Sequence, residues 1–589
     1  MVRRWTGVGK RAGRMAVGAA PAFMRRATLA LATIALFAAP WIPTAATAAP
    51  NKKASSKAAP ARRAARKPSA APAAAAVAVT AAGRGGVAPA PPKLNPDDPE
   101  QSAQSLVTPA GDPTAARPRR SATPTSLTLA NLSPTLDAIL SAAQRGGRWG
   151  VSVGIVETGQ TLYESGVDRR YIPASNRKIF TCALALDQLG ADYKLRSYLY
   201  RVGTVGPDGT LNGNLVVLPQ GDPTFCDNRL TGTNRPSDWV YQDWVEKVRS
   251  AGIKRVQGDL LIDCGDWNLA DLQPKGWPAR IRSDYYAVPP SPLTINENVI
   301  EVRVKPGAPG QPPLISFNPP AEGYPVQNRA VSAAKGGAAR IERSSNGMIE
   351  VTGTAGRASS ASIPCDNSAL FAAAVLRTRL RDAGISVSGK TTLVTKRRSL
   401  PPPTAENVVA MYESPPLSEL VKVMMKNSNN HFAEQIYVMV SALKLGRGSY
   451  TASRELEAGL LRRAGIDTRG IVCDDGSGLS ERNAVTPTDV AKMLRFMTTH
   501  PAGRTYYESM AVGGRDGTLR RRMAGGPAEG RVHAKTGTIN GVSCLSGYLA
   551  LRPDRTLVFS FLVNDVRGGA GGMTAVQNRL CETLAVLQL

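Results

Sequence analysis

The chain has 589 residues, of which 42% are hydrophobic and 5% aromatic, and a formal charge of +28. The length is more than one simple core organises, so several folded units are expected. The charge does not by itself imply nucleic acid: about +15 of it lies in residues 1–127, and neither an RNA-binding aromatic motif nor zinc-finger spacing is present. Three histidines are scattered, and seven cysteines lie far apart with no C-x-x-C, which argues against a zinc site. An odd cysteine count leaves at least one thiol unpaired in the monomer, although export would allow some pairs to form.

The N-terminus reads as an address. Residues 25–42, RRATLALATIALFAAPWI, place two arginines before an apolar run, and Ala46-Thr47-Ala48 follows as a small-x-small cleavage site. A membrane anchor is the alternative, but the run is short and broken by Pro40 and Pro43, which favours a signal peptide over 1–48 cleaved after Ala48. The mature chain is then expected to be periplasmic or otherwise extracytoplasmic. Residues 49–127 are rich in Ala, Pro, Lys, Arg and Ser and poor in core formers, which predicts a disordered basic linker. Such a linker could associate with anionic wall polymer or a membrane surface, or serve only as a spacer.

Globular patterning begins near residue 128. Leu132 to Ala143 has helical apolar spacing, WGVSVGIVE alternates as a strand, and TLYESG pairs with it as a hairpin. The apolar run after Ser175 predicts a buried helix ending near Gly190. About 200 residues of short strands and turns follow, with helices expected at Trp239 to Ala251 and Ala369 to Ala383. Helical periodicity returns at SPPLSELVKVMMKNSNNHFAEQIYVMVSAL. A strand hairpin at SCLSGYLALRPDRTLVFSFLVND and a helix at MTAVQNRLCETLAVL close the chain. Strands at both ends suggest one α/β sandwich of helices on an antiparallel sheet, interrupted by a β-rich insertion. The expected divisions are 128–198 and 404–589 for this domain and 199–403 for the insertion.

Three short motifs carry chemistry. In YIPASNRKIF, Ser175 and Lys178 stand three residues apart at a helix start and so face the same way. Alone, that is as well explained by a capping serine and a solvated lysine. Ser428-Asn429-Asn430 could be a polar turn, and Lys535-Thr536-Gly537-Thr538 a strand edge. In this order, however, Ser-x-x-Lys, Ser-x-Asn and Lys-Thr-Gly are the set used by penicillin-recognising acyl-serine enzymes. A serine nucleophile needs a base. No Ser/His/Asp arrangement is legible, so Lys178 must serve, its pKa lowered by burial and by Lys535. Ser428 can relay a proton to the leaving amine, Asn430 can hold the substrate amide, and Lys535, Thr536 and Thr538 suit a terminal carboxylate. The backbone N–H groups of Ser175 and Thr538 would form an oxyanion hole. Gly537 would let a substrate backbone approach the strand.

From about residue 130 to the end the chain resembles the class C low-molecular-mass penicillin-binding proteins, the D-alanyl-D-alanine carboxypeptidases/endopeptidases of the penicillin-binding protein 4 type. The likeness extends to GDPTF, VQGDLLID, PLTINENVIEV, DAGISVSGK, DDGSGLS and GRDGTLRRRM. Ser428 follows Ser175 by 253 residues, and in the family that gap holds an accessory insertion. The resemblance implies a transpeptidase/β-lactamase-like fold, peptidoglycan stem peptides as substrates, β-lactams as covalent inhibitors, no cofactor and no nucleic acid. It also implies an insertion aspartate and an arginine that recognise the free end of the diamino acid, here Asp271 and Arg482. The arginine departs from the family pattern, since Glu481 stands where the arginine is usual. Arg177, inside the first motif, is also unusual and is expected to face solvent, while Glu434, one turn after Asn430, is expected to be structural. Two other readings share the motifs: a β-lactamase, for which no deacylating glutamate is assignable, and a non-catalytic wall-binding or antibiotic-sensing module.

Overall fold

A computed structural model describes residues 126–227, 235–344, 348–365 and 367–589. The signal peptide and all but the last two residues of the linker interval lie outside them. Leu127, at the end of that interval, already belongs to a two-residue strand paired with Leu587–Gln588. Among the described residues no helix is long and apolar enough to cross a membrane.

The described residues form ten helices in chain order: α1 (Leu129–Ala143), α2 (Arg177–Leu189), α3 (Trp239–Ser250), α4 (Ser368–Asp382), α5 (Leu417–Lys426), α6 (Asn430–Leu445), α7 (Tyr450–Arg463), α8 (Pro487–Thr498), α9 (Gly503–Glu508) and α10 (Ala570–Leu584). The helices expected from periodicity are all present. The stretch from Ser414 to Leu443 is two helices, broken at Asn427–Asn429.

The sheet that joins the two ends of the globular chain has six strands. Its order is Ala511–Val512, Val532–Ile539, Val542–Arg552, Arg555–Asn564, Arg148–Ile155 and Thr161–Ser165. The first hairpin of the globular chain therefore completes a sheet made by its last strands, with Arg148 opposite Asn564 and Ile155 opposite Leu557. Alternation assigns the two faces. Leu545, Leu549, Phe559 and Phe561 point to a core shared with α1 and α10. Cys544, Tyr548, Val558 and Leu562 point to a core built from α2, α5, α6 and α8. Each face is buried, so both residue sets on these strands are apolar.

The intervening segment makes its own sheets around a separate core. One sheet starts at Arg196–Val205 and closes with Val408–Glu413, which pairs back onto it, so its pairing begins three residues before 199 and ends ten residues after 403. Helices α3 and α4 pack on it. Smaller sheets form around Val299–Lys305 and Ile349–Thr352. All seven cysteines are buried, and no disulfide joins them among the described residues.

Candidate active site

Helix α2 is buried along nearly its whole first two and a half turns, Arg177 to Leu186. Ser175 lies just before it in a 3-10 turn, Ala174–Asn176, and is partly open to solvent. Ala174 holds a left-handed φ of 45°, a conformation a residue with a side chain adopts only when its surroundings impose it. Asn564 pins the approach to this turn: its side chain accepts from Ile172 N (2.8 Å) and donates to Ile172 O (3.0 Å). On the other side, Asn176 Nδ2 donates to Lys535 O at 2.9 Å, tying the turn to the Lys-Thr-Gly strand.

Lys178 is fully buried, and its Nζ meets Ser175 Oγ (2.9 Å), Asn430 Oδ1 (2.8 Å) and the Ser477 carbonyl (2.8 Å). Burial lowers its pKa to about 7, against the opposing pull of Glu434 and Asp475. Lys535 is equally buried; burial first, and then the charge of Lys178, hold it well below the ordinary lysine value. Its Nζ donates to Ser428 Oγ (2.8 Å) and Thr536 O (2.9 Å). The repulsion between the two ammoniums acts on Lys535, second to burial, whereas Lys178 is lowered by burial alone and its neighbouring charges, Glu434 and Asp475, oppose the shift.

The loop between α5 and α6 gives three adjacent residues three tasks. Ser428 takes a left-handed φ of 56°, Asn429 caps α6 by accepting from Phe432 N (2.9 Å), and Asn430 opens the helix. Asn430 presents its oxygen to Lys178 and one N–H to the Tyr286 carbonyl (3.3 Å), which leaves its second N–H for a substrate. Tyr286 belongs to the intervening segment, which therefore reaches the site.

Gly537 has a use besides the expected one. A Cβ there would lie 2.7 Å from Pro173 O and 3.1 Å from Asn176 N. The missing side chain lets the strand seat directly against the Ser175 turn. We expect Gly537→Ala to force these backbones apart and to slow acylation by benzylpenicillin about 100-fold, since small displacements of reacting groups cost that much. An unchanged rate would show that the contact is not needed.

Several residues around the cluster were not signalled by the motifs. Glu434 is buried and accepts from Ser477 N (2.8 Å), Gly476 N (3.0 Å) and Tyr450 OH (2.7 Å). Asp475 is also buried and accepts from Gly478 N (2.9 Å), Ser480 N (2.7 Å), Asn483 Nδ2 (2.8 Å) and Trp277 Nε1 (2.9 Å). Together they shape the DDGSGLS loop so that its Ser477 carbonyl meets Lys178. Glu434 is at i+4 from Asn430 and so shares its helix face, a signal available in sequence; nothing local pointed to Asn564.

Arg177 corrects an expectation. It is wholly buried and not on the surface, and its guanidinium forms a two-pronged ion pair with Glu457 of α7, 2.7 Å for each prong. Tyr437 OH donates to the same carboxylate (2.7 Å), and the guanidinium lies over the Tyr437 ring at 4.9 Å. A charge with a buried partner and an aromatic cover needs no solvent.

The remaining site residues are dispersed. Asp271 accepts from Thr451 N (2.9 Å) at the start of α7 and has no hydrogen bond to the Ser175 cluster. Arg482 is 59% exposed and approaches Asp474 only at 3.9 Å, while Glu481 pairs with Arg280. Thr536 Oγ1 meets Thr518 Oγ1 (2.9 Å), and Thr538 is exposed.

Residues 132–583 match the D-Ala-D-Ala carboxypeptidase 3 (S13) family. The chain belongs to that family. It is a serine-type D-Ala-D-Ala carboxypeptidase, a hydrolase, of the class C low-molecular-mass penicillin-binding proteins. This carboxypeptidase is 33% identical over 478 residues to the D-alanyl-D-alanine carboxypeptidase of Actinomadura sp. (strain R39), covering 78% of this chain and 85% of that protein. It is 26% identical over 411 residues to the D-alanyl-D-alanine carboxypeptidase DacB of Haemophilus influenzae, covering 68% and 81%. Its fold is similar to that of penicillin binding protein 4 (dacB) from Haemophilus influenzae, with a TM-score of 0.62 and 24% identity over 75% of this chain and 97% of that one.

Proposed function

We propose that this carboxypeptidase releases the terminal D-alanine of peptidoglycan stem peptides through an acyl-enzyme on Ser175, with Lys178 as the base. The observation that carries the assignment is the set of partners around Lys178 Nζ. Asn430 Oδ1 and the Ser477 carbonyl can only accept hydrogen bonds, so in the neutral amine they take its two N–H groups. The lone pair is left for Ser175 Oγ, the one partner that can donate. The serine proton passes to Lys178 as Oγ attacks the carbonyl of the penultimate D-alanine. The backbone N–H groups of Ser175 and Thr538 stabilise the oxyanion, and Ser428, held by Lys535, relays the proton from Lys178 to the leaving D-alanine nitrogen, receiving one as it gives one. Lys535, Thr536 and Thr538 take the terminal carboxylate. Water then resolves the ester. The same site would cut crosslinks between D-alanine and a diamino acid, with Asp271 and Arg482 recognising the free end of that residue.

β-Lactams present a strained amide with a carboxylate to the same groups, and we infer that they acylate Ser175. The β-lactamase reading is disfavoured by Glu434: it is buried, and its hydrogen bonds from Gly476 N, Ser477 N and Tyr450 OH tie it to the DDGSGLS loop and α7 as a structural group. We further propose that Arg196–Glu413 is an accessory domain inserted between the two parts of the catalytic domain, and that the chain works outside the cytoplasmic membrane, where its polymer lies.

Intact mass after mixing with benzylpenicillin tests the nucleophile. A persistent penicilloyl group on Ser175, together with D-alanine release from a stem peptide, is expected; no adduct on the folded protein would leave a wall-binding module. The base is tested by pH. Only neutral Lys178 can accept the proton, so the second-order acylation rate should rise with pH, tenfold per unit below about 7, and level above it. A flat profile between about pH 5.5 and 8.5 would exclude Lys178 as the base.

A further inference from the structure

The motif GRDGTLRRRM, residues 514–523, has no part in the mechanism above, yet it lies against the Lys-Thr-Gly strand. Its centre is a 3-10 turn, Gly517–Leu519, held from several sides. Asp516, just before the turn, accepts from Val512 N (2.8 Å) and from Nζ of Lys426 (2.6 Å), the last residue of α5. Gly517 has a left-handed φ of 53°, and a Cβ there would lie 2.6 Å from Lys426 O, so a side chain would push the turn away. Leu519 is fully buried in the core shared with α1 and α10. Thr518 stands between these anchors, half-buried, and its Oγ1 accepts from Thr536 Oγ1 at 2.9 Å.

Threonine carries a hydroxyl and a methyl group on one carbon, and rotation about χ1 exchanges their places. At Thr536 the partner decides between them: a hydroxyl at 518 draws the Thr536 hydroxyl, whereas an apolar group there would draw the methyl. The position of this hydroxyl matters because Lys535 Nζ already donates to Ser428 Oγ (2.8 Å) and Thr536 O (2.9 Å). Part of the hydrogen bonding to a carboxylate at this end of the site therefore falls to hydroxyls. Each threonine hydroxyl has one proton to give. Thr536 gives its proton to Thr518, but two hydroxyls in contact reverse by turning about their C–O bonds. Thr518 then donates to Thr536 Oγ1 and frees the Thr536 proton, and a hydroxyl that accepts one hydrogen bond is a stronger donor of the next.

We propose that Thr518 is a positioning residue for recognition of the substrate's terminal carboxylate, acting through Thr536. It keeps the Thr536 hydroxyl at the strand edge, and on binding of a carboxylate the pair reverses so that Thr536 donates outward. Ligands with a free carboxylate gain most from this donor, and their esters and amides gain less, because a hydrogen bond to an ionised acceptor is the stronger one. The proposal rests on the reading of Lys535, Thr536 and Thr538 as the carboxylate site.

The test compares acylation by benzylpenicillin and by its methyl ester, which differ only at the carboxylate. In Thr518→Val, which nearly keeps the side-chain shape, the second-order rate with the acid should fall about tenfold and that with the ester less than twofold. Thr518→Ser retains the hydroxyl and should keep the native acid-to-ester ratio. Stem peptides ending in D-Ala-D-Ala as acid or as carboxamide should show the same selective loss in kcat/KM. An acid-to-ester ratio unchanged in Thr518→Val, whether both rates fall or neither does, would overturn the proposal and leave Thr518 as a buttress of the strand. Penicillin uptake with the expected ratios but no D-alanine release would remove the peptidase reading and leave the threonine pair standing. A folded native chain that neither takes up penicillin nor releases D-alanine would remove both.

Discussion

Lys178→Ala should lower the rate of penicilloyl-enzyme formation by about 10²–10⁴-fold, the range that a positioned base contributes. The reason is geometric as much as electrostatic. Ser175 Oγ has Lys178 Nζ at 2.9 Å, and no histidine or carboxylate among the described residues is hydrogen-bonded to it. The fold should survive, because the lost side chain is one whose charged form burial already disfavours. Stopped-flow acylation and a melting curve on the same sample check both halves. An acylation rate within threefold of the native chain would show that another group takes the proton. Ser175→Ala, by contrast, should leave no adduct at all, since it removes the atom that forms the bond.

The second large effect is on stability. Arg177→Met should cost about 3–5 kcal/mol, because it leaves the Glu457 carboxylate buried with only Tyr437 OH and the weakly donating Cys473 thiol hydrogen-bonded to it among the described residues. For a domain of this size that corresponds to a fall in melting temperature of about 10 °C. Adding Glu457→Gln should restore most of the loss, since the amide oxygen still accepts from Tyr437 and no charge is stranded. A single variant that melts with the native chain would mean that water reaches Glu457. A double variant as unstable as the single one would assign the loss to packing of the arginine stem. Because α2 carries both Arg177 and Lys178, the single variant should also acylate more slowly, and the double variant should recover part of that rate.

Much of the architecture was legible from periodicity. The strands at Trp149 and at Leu557 alternate, and α2 and α10 have continuous apolar faces, because burial of a sheet or helix face imposes its period directly on the sequence. The break between α5 and α6 was harder to see. The polar run Lys426 to His431 interrupts the apolar spacing and allowed a turn, but the shape of that turn depends on a left-handed φ at Ser428, which a serine does not advertise. Arg177 was misread for a related reason. A charged residue at a helix start ordinarily faces water, and its partner Glu457 lies 280 residues away, so no local pattern connects the two. Asn564, which holds Ile172 from 392 residues away, was invisible for the same cause.

The sequence by itself determined which atoms are available and which neighbours are local. The i, i+3 spacing puts Ser175 and Lys178 on one face, Asn429 caps the helix that Asn430 begins, and Gly537 leaves a strand without a side chain where something must come close. Only the tertiary structure decided what comes close and what each group's protonation is. It brings Ser428 to Lys535 and Asn430 to Lys178, and it surrounds both lysines with protein so that the charged form loses its hydration. A pKa depends on solvent exclusion and on charges that arrive from several elements at once, and neither quantity is carried by residue spacing along the chain.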